Sequence, residues 1–99
     1  MFVVREVMHC KPGKVGAMVK KFKAVGVVME RMGFTSFRLM TDAAGERFWT
    51  VIAETEVESL GALLEMEEKV MSDPEAQNAM SGYHDLVDNG RREIYKLET

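Results

Sequence analysis

Apolar positions along the chain change period in a fixed order, and that order predicts the elements. Phe2 to His9 is a valine-rich run of strand character, broken by Lys11-Pro12-Gly13-Lys14. Beyond the break, Val15, Met18, Phe22, Val25, Met29 and Met32 recur at steps of three and four. This is one apolar stripe on a helix of about five turns. Gly26 costs that helix about 1 kcal/mol relative to alanine, and Gly33 suits the left-handed residue that commonly follows a helix. Two further strands are predicted over residues 34–41 and 47–55, joined as a hairpin through Asp42-Ala43-Ala44-Gly45. Thr55-Glu56-Val57-Glu58 has the spacing of a capping box. It would open a second helix whose core residues are Leu60, Leu63, Leu64, Val70 and Met71. Asp73-Pro74 reads as an N-cap followed by proline in the first turn, starting a short third helix that turns Ala76, Met80 and Tyr83 inward. Asn89-Gly90 is a turn signal, and residues 92–97 form the last strand.

The order β-α-β-β-α-β predicts one α+β domain over residues 1–99, of ferredoxin-like pattern: a four-stranded antiparallel sheet with its helices on one face. The other face needs a partner. A sheet with one wet face alternates apolar and polar residues, and these strands do not. If the hairpin sets Phe37 opposite Val51, then Phe37, Leu39, Trp49, Val51 and Ala53 make a core face. The opposite face still carries Phe34, Met40, Phe48 and Ile52, which is too apolar for water. A second copy packed on it by two-fold symmetry is the expected solution. Arg38, Glu54 and Glu6 are expected to project into that dimer interior as ion pairs, since lone buried charges are very costly.

Composition narrows the classes. The 99 residues suffice for one core, and the net charge of −3 argues against nucleic acid or an anionic membrane as partner. A single cysteine, Cys10, excludes an internal disulfide and suits a reducing compartment. No apolar run approaches the roughly 18 residues of a spanning helix, and the charged Arg5-Glu6 pair interrupts any signal-peptide core. The expectation is a cytoplasmic protein with no membrane partner.

The strand, Lys11-Pro12-Gly13-Lys14, long helix, hairpin, acidic second helix and late strand resemble the dimeric α+β barrel superfamily over nearly the whole chain. The ending Asn89-Gly90-Arg91-Arg92-Glu93-Ile94-Tyr95 is similar to small bacterial members without assigned function. That superfamily includes antibiotic-biosynthesis-type monooxygenases, haem-degrading enzymes, muconolactone-isomerase-like proteins and stress-response barrels. The resemblance implies fold and dimerisation more than function. Haem degraders of this kind place an Asn on the first strand, a Trp on the second helix and a His just after it. Here the first strand has no Asn, Lys69 stands near the expected Trp, and His84 falls several residues late, so haem degradation is not expected.

Candidate chemistry is sparse. His84 lies in Tyr83-His84-Asp85, and a histidine near a carboxylate can act as a base near neutral pH. Neighbours along a helix, however, do not face one another. Cys10 has only His9 nearby, which points to the other face of its strand. Two histidines and one cysteine lack ligand spacing, so no metal and no cofactor are expected. Nine methionines are many for this length, and methionine fits irregular space and flat apolar ligands. A pocket between helices and sheet would be walled by Phe22, Met29, Phe37 and Trp49, with Tyr83, His84 and Arg38 as weak catalytic candidates. Two readings stay open. One is a homodimer binding a flat apolar or quinone-like molecule. The other is a cofactor-independent monooxygenase.

Overall fold

A computed structural model describes residues Met1–Thr99. The elements run β1 (Phe2–Cys10), α1 (Val15–Arg31), β2 (Arg38–Thr41), β3 (Thr50–Val57), α2 (Leu60–Met71), α3 (Pro74–Met80), a 3-10 turn (Tyr83–Asp85) and β4 (Val87–Lys96). The sheet order is β2-β3-β1-β4 and every pairing is antiparallel. The ferredoxin-like pattern read from the sequence is therefore observed.

The α1 stripe enters the core as its spacing requires: Met18, Phe22, Val25 and Met29 are buried against the sheet. The helix ends at Gly33, whose φ of +93° is the left-handed geometry expected there. Gly26 has a packing reason. A Cβ at that position would lie 2.9 Å from two ring carbons of Phe37, so the missing side chain is what lets the ring reach the helix. Asp73 caps α3 through bonds from the Glu75 and Ala76 amides, and Ala76 is fully buried. Lys21 of α1 donates to the Ser81 carbonyl just beyond α3, at 2.5 Å. Arg31, at the end of α1, pairs with Asp73 and Glu75. The main neighbour of α1 in the helix layer is α3 and not α2.

Several expectations are corrected. β2 is short because residues 34–37 run beside β3 through side chains: the Glu56 amide donates to Ser36 Oγ at 3.0 Å, replacing a ladder bond. Phe34 consequently packs on the helix-side core and not on the outer face. Thr55 belongs to β3, and the N-cap of α2 is Ser59, which accepts from the Ala62 amide. Leu60, Leu64 and Met71 are exposed; the buried stripe of α2 is Leu63, Met66 and Val70. Asn89-Gly90 does not turn the chain. Both residues lie inside β4, opposite His9 and Met8, next to a bulge at His9/Cys10. Gly90 fits there because a Cβ would meet Met8 Sδ at 2.9 Å and the Val7 carbonyl at 3.2 Å.

The hairpin pairs Leu39 with Ala53 and Arg38 with Glu54, so Phe37 does not face Val51. The slip is even-numbered, and the two faces keep their membership. Leu39, Val51 and Ala53 join the core; Arg38, Met40, Ile52 and Glu54 share the outer face. Trp49 is the exception. Its φ of +67° breaks the alternation just before β3 begins, and its side chain is 43% exposed in the 42–49 loop.

Candidate functional site

The helix layer does not close completely on the sheet. Between α1, α2 and the helix-side face lies a cavity of about 370 Å³, within the size range of small-molecule sites. Its walls are apolar side chains that the stripes of both helices place there by helical spacing. Phe22, Val25 and Met29 come from α1, and Leu63, Met66 and Val70 from α2. Phe37 contributes from the segment between α1 and β2, and Met80 from the end of α3. Phe22, Met29 and Phe37, expected as pocket residues, are together in this wall. Tyr83, from the 3-10 turn, is beside them.

Four charged residues line the cavity, and three of them build its polar side, because the Glu54 carboxylate is engaged by Arg5 and Arg38 on the other face of the sheet. Glu6 of β1 and Arg92 of β4 are register partners on the helix side of the sheet. Arg92 Nε donates to Glu6 Oε1 at 2.5 Å, and a second Arg92 nitrogen pairs with Glu67 of α2. One guanidinium thus holds two carboxylates at the cavity wall. Burial pushes the Glu6 carboxyl above its ordinary value, Arg92 opposes that only in part, and the nearby Glu67 charge adds to the rise. Burial acts to lower Arg92, but its bonds to Glu67 and Glu6 outweigh it and leave the guanidinium above its ordinary value. A second, more open cleft adjoins the first and shares Glu6, Met8, Tyr83 and Arg92 with it. His84 lines that cleft with Asp88 and Arg91, its ring centroid 4.0 Å from that of Tyr83. Tyr83 stands between the two spaces.

The other expected site residues lie elsewhere. Trp49 is on the exposed loop and away from the cavity wall, because its left-handed backbone takes it off the core face. Arg38 is on the outer face, where it and Arg5 both bind Glu54. Arg5 Nε donates to Oε1 at 2.9 Å, and Arg38 Nε takes the other oxygen. Glu54 is only 2% exposed in the single chain. Burial alone would raise its carboxyl, but the hydrogen bonds from Arg38 and Arg5 prevail and hold it below the ordinary carboxylate value. Arg5 also lies over the Tyr95 ring at 5.3 Å. Of the three charges expected together in the dimer interior, Arg38 and Glu54 pair, whereas Glu6 sits on the opposite face of the sheet.

Cys10 is buried among Met18, Phe22 and Val51, and burial raises its thiol above the ordinary value, so it has little thiolate character. His9 is buried on the other face, with Nδ1 2.8 Å from Asn89 Oδ1 and Nε2 3.5 Å from Glu46. No three His, Cys, Asp or Glu side chains are grouped to hold a metal ion.

Glu6, Glu67, Arg92 and Met66 were missed as site residues. The turn read at Asn89-Gly90 hid the β1–β4 register that places Arg92 on Glu6. Glu67 belongs to the acidic run of α2, where nothing in the sequence separates it from Glu65 and Glu68. Met66 lies one turn from Leu63 and Val70, and that spacing was available in the sequence.

No protein-family model matches the chain, and no curated protein matches it. Solved structures do. An uncharacterised NIPSNAP-domain protein of Burkholderia xenovorans aligns with TM-score 0.82 at 15% identity, over 100% of this chain and 96% of its own. A NIPSNAP family protein of unknown function from Agrobacterium tumefaciens gives 0.81 at 18% identity, over 98% of this chain and 87% of its own. A candidate antibiotic biosynthesis monooxygenase of Nitrosomonas europaea gives 0.75 at 11% identity, over 100% of both chains. At such identities the likeness establishes architecture alone. The chain therefore has the ferredoxin-like α+β fold that NIPSNAP-domain proteins and antibiotic-biosynthesis-monooxygenase-like proteins share.

Proposed function

We propose that the chain is a homodimer that binds a flat, mostly apolar small molecule between its helices and sheet. The cavity of about 370 Å³ walled by Met29, Met66, Phe22 and Phe37 carries this reading. Its wall is adaptable where the methionines stand. Filling the space should remove binding with little harm to the fold. Met29→Phe is expected to abolish uptake of an environment-sensitive naphthalene dye while costing about 1–3 kcal/mol in urea denaturation. Unchanged dye binding would move the ligand elsewhere. Trp49 is not expected to report on this binding, because its side chain lies away from the cavity.

Support for the dimer comes from the outer face and its loop. Phe48 is 81% exposed in a single chain, and Trp49 and Tyr95 are also exposed. Met40 and Ile52, register partners on the outer face, are half-buried. Such exposure is more than a stable monomer usually tolerates. Light scattering at micromolar protein is expected to give twice the 11.2 kDa chain mass. Ile52→Asp, which would set a carboxylate in a dry interface, should dissociate the pair. A dimer that survives Ile52→Asp would mean that another face is used. Oxygen uptake on adding a quinol would turn the binding reading into the monooxygenase one.

A further inference from the structure

The charged cluster at the cavity constrains what the ligand carries. Arg92 is the only cation lining the cavity, and both of its neighbouring acids already occupy it: Glu6 at 2.5 Å and Glu67 on the far side. A guanidinium engaged by two carboxylates has little capacity left for a third anion. Formal charge at this wall is one positive against two negative. Glu54, which also lines the cavity, has its carboxylate bonded by Arg5 and Arg38 on the other face of the sheet and adds no head-group there. Tyr83 supplies a hydroxyl in the same wall. Glu6 is half-buried and yet shares its one cation with Glu67, so an incoming donor would relieve a charge that Arg92 alone leaves under-compensated.

Resting on the binding function proposed above, we infer that the ligand is a flat apolar molecule ending in a hydrogen-bond donor, a protonated amine in the strongest case and a hydroxyl in a weaker one. A molecule ending in a carboxylate is excluded by the same wall. The amine would sit against the free lone pairs of Glu6 and Glu67, its rings between Met29, Met66 and Phe37. The quinone-like and acidic ligands that the apolar wall would also hold offer only acceptors to a wall that is short of donors.

Three probes of one shape separate this inference from the function beneath it: 2-naphthylmethylamine, 2-naphthol and 2-naphthoate, titrated into the full chain by calorimetry at neutral pH. The amine should bind at least ten-fold more tightly than the naphthoate, with naphthol between them. Glu67→Gln should shrink that ratio to near one, since the wall then carries equal charge of each sign. Glu6→Gln should act in the same direction. Naphthoate binding as tightly as the amine, or an amine preference that survives both substitutions, would overturn the inference and leave the cavity function standing. If none of the three probes binds, the cavity function fails and the ligand class falls with it.

Discussion

On the outer face of the sheet one carboxylate, Glu54, is held by two guanidiniums, those of Arg5 and Arg38. On the helix face one guanidinium, Arg92, is held by two carboxylates, those of Glu6 and Glu67. Both clusters use the same residue types, the first on three neighbouring strands and the second on two strands and α2, and their proportions are inverted. The first leaves its acid more than compensated. The second leaves its acids under-compensated beside an open cavity. A buried charge that is fully paired is part of the scaffold, whereas one that shares its partner is available to a ligand. The two acids consequently depart from ordinary carboxyl behaviour in opposite directions: Glu54 is lowered and Glu6 is raised.

The comparison breaks most visibly when Glu54 loses both partners. Arg5→Met with Arg38→Met leaves a nearly inaccessible carboxylate unpaired, and urea denaturation at neutral pH should show a loss of about 3–5 kcal/mol. The pH dependence follows from the direction of the shift. In the parent, Glu54 is lowered on folding, so its contribution is present above the unfolded value of about 4.3 and lost as pH falls through the lower folded value. In the double variant only burial remains, which raises the folded value, so the deficit should narrow as pH falls. A deficit that stays constant with pH would mean that the arginines act by packing their stems and not by charge.

Gly26→Ala should have a smaller effect. Alanine improves the helix by about 1 kcal/mol, but its Cβ displaces the Phe37 ring, and overpacking of this kind costs about 1–3 kcal/mol. A net loss on the order of 1 kcal/mol is expected in thermal denaturation, together with weaker dye binding because Phe37 is part of the cavity wall. A gain in stability would show that Phe37 moves aside freely.

The smallest effect belongs to Glu6→Gln. A carboxyl raised on folding detracts from stability at pH values above its folded value, the reverse of Glu54. Removing its charge should leave stability at neutral pH within about 1 kcal/mol of the parent or slightly above it, and the pH dependence should flatten on the basic side of the carboxyl range. A loss of several kcal/mol would place Glu6 among the scaffold charges.

Fold and site were legible to different degrees. The α1 stripe, the Asp73-Pro74 cap and Gly33 act through neighbours a few residues away, so spacing alone located them. The Arg38–Glu54 pair was also within reach, because an even slip in the hairpin register leaves each residue on its face. The site itself depends on contacts across the chain. Arg92 meets Glu6 only through the pairing of the first and last strands, and a dipeptide that usually turns, Asn89-Gly90, lies inside β4 because Gly90 is needed for the close approach of Met8. Trp49 was misplaced for a related reason. Alternation assumes an extended backbone, and one left-handed residue ahead of β3 removes it from the core face.

The inverted proportions of the two clusters are tested most directly by following the side-chain carboxyl carbons of Glu54 and Glu6 through an NMR pH titration of the full chain. Glu54 should titrate below the ordinary glutamate value and Glu6 above it. Glu6 titrating at or below Glu54 would contradict the assignment of one acid to the scaffold and the other to the ligand site.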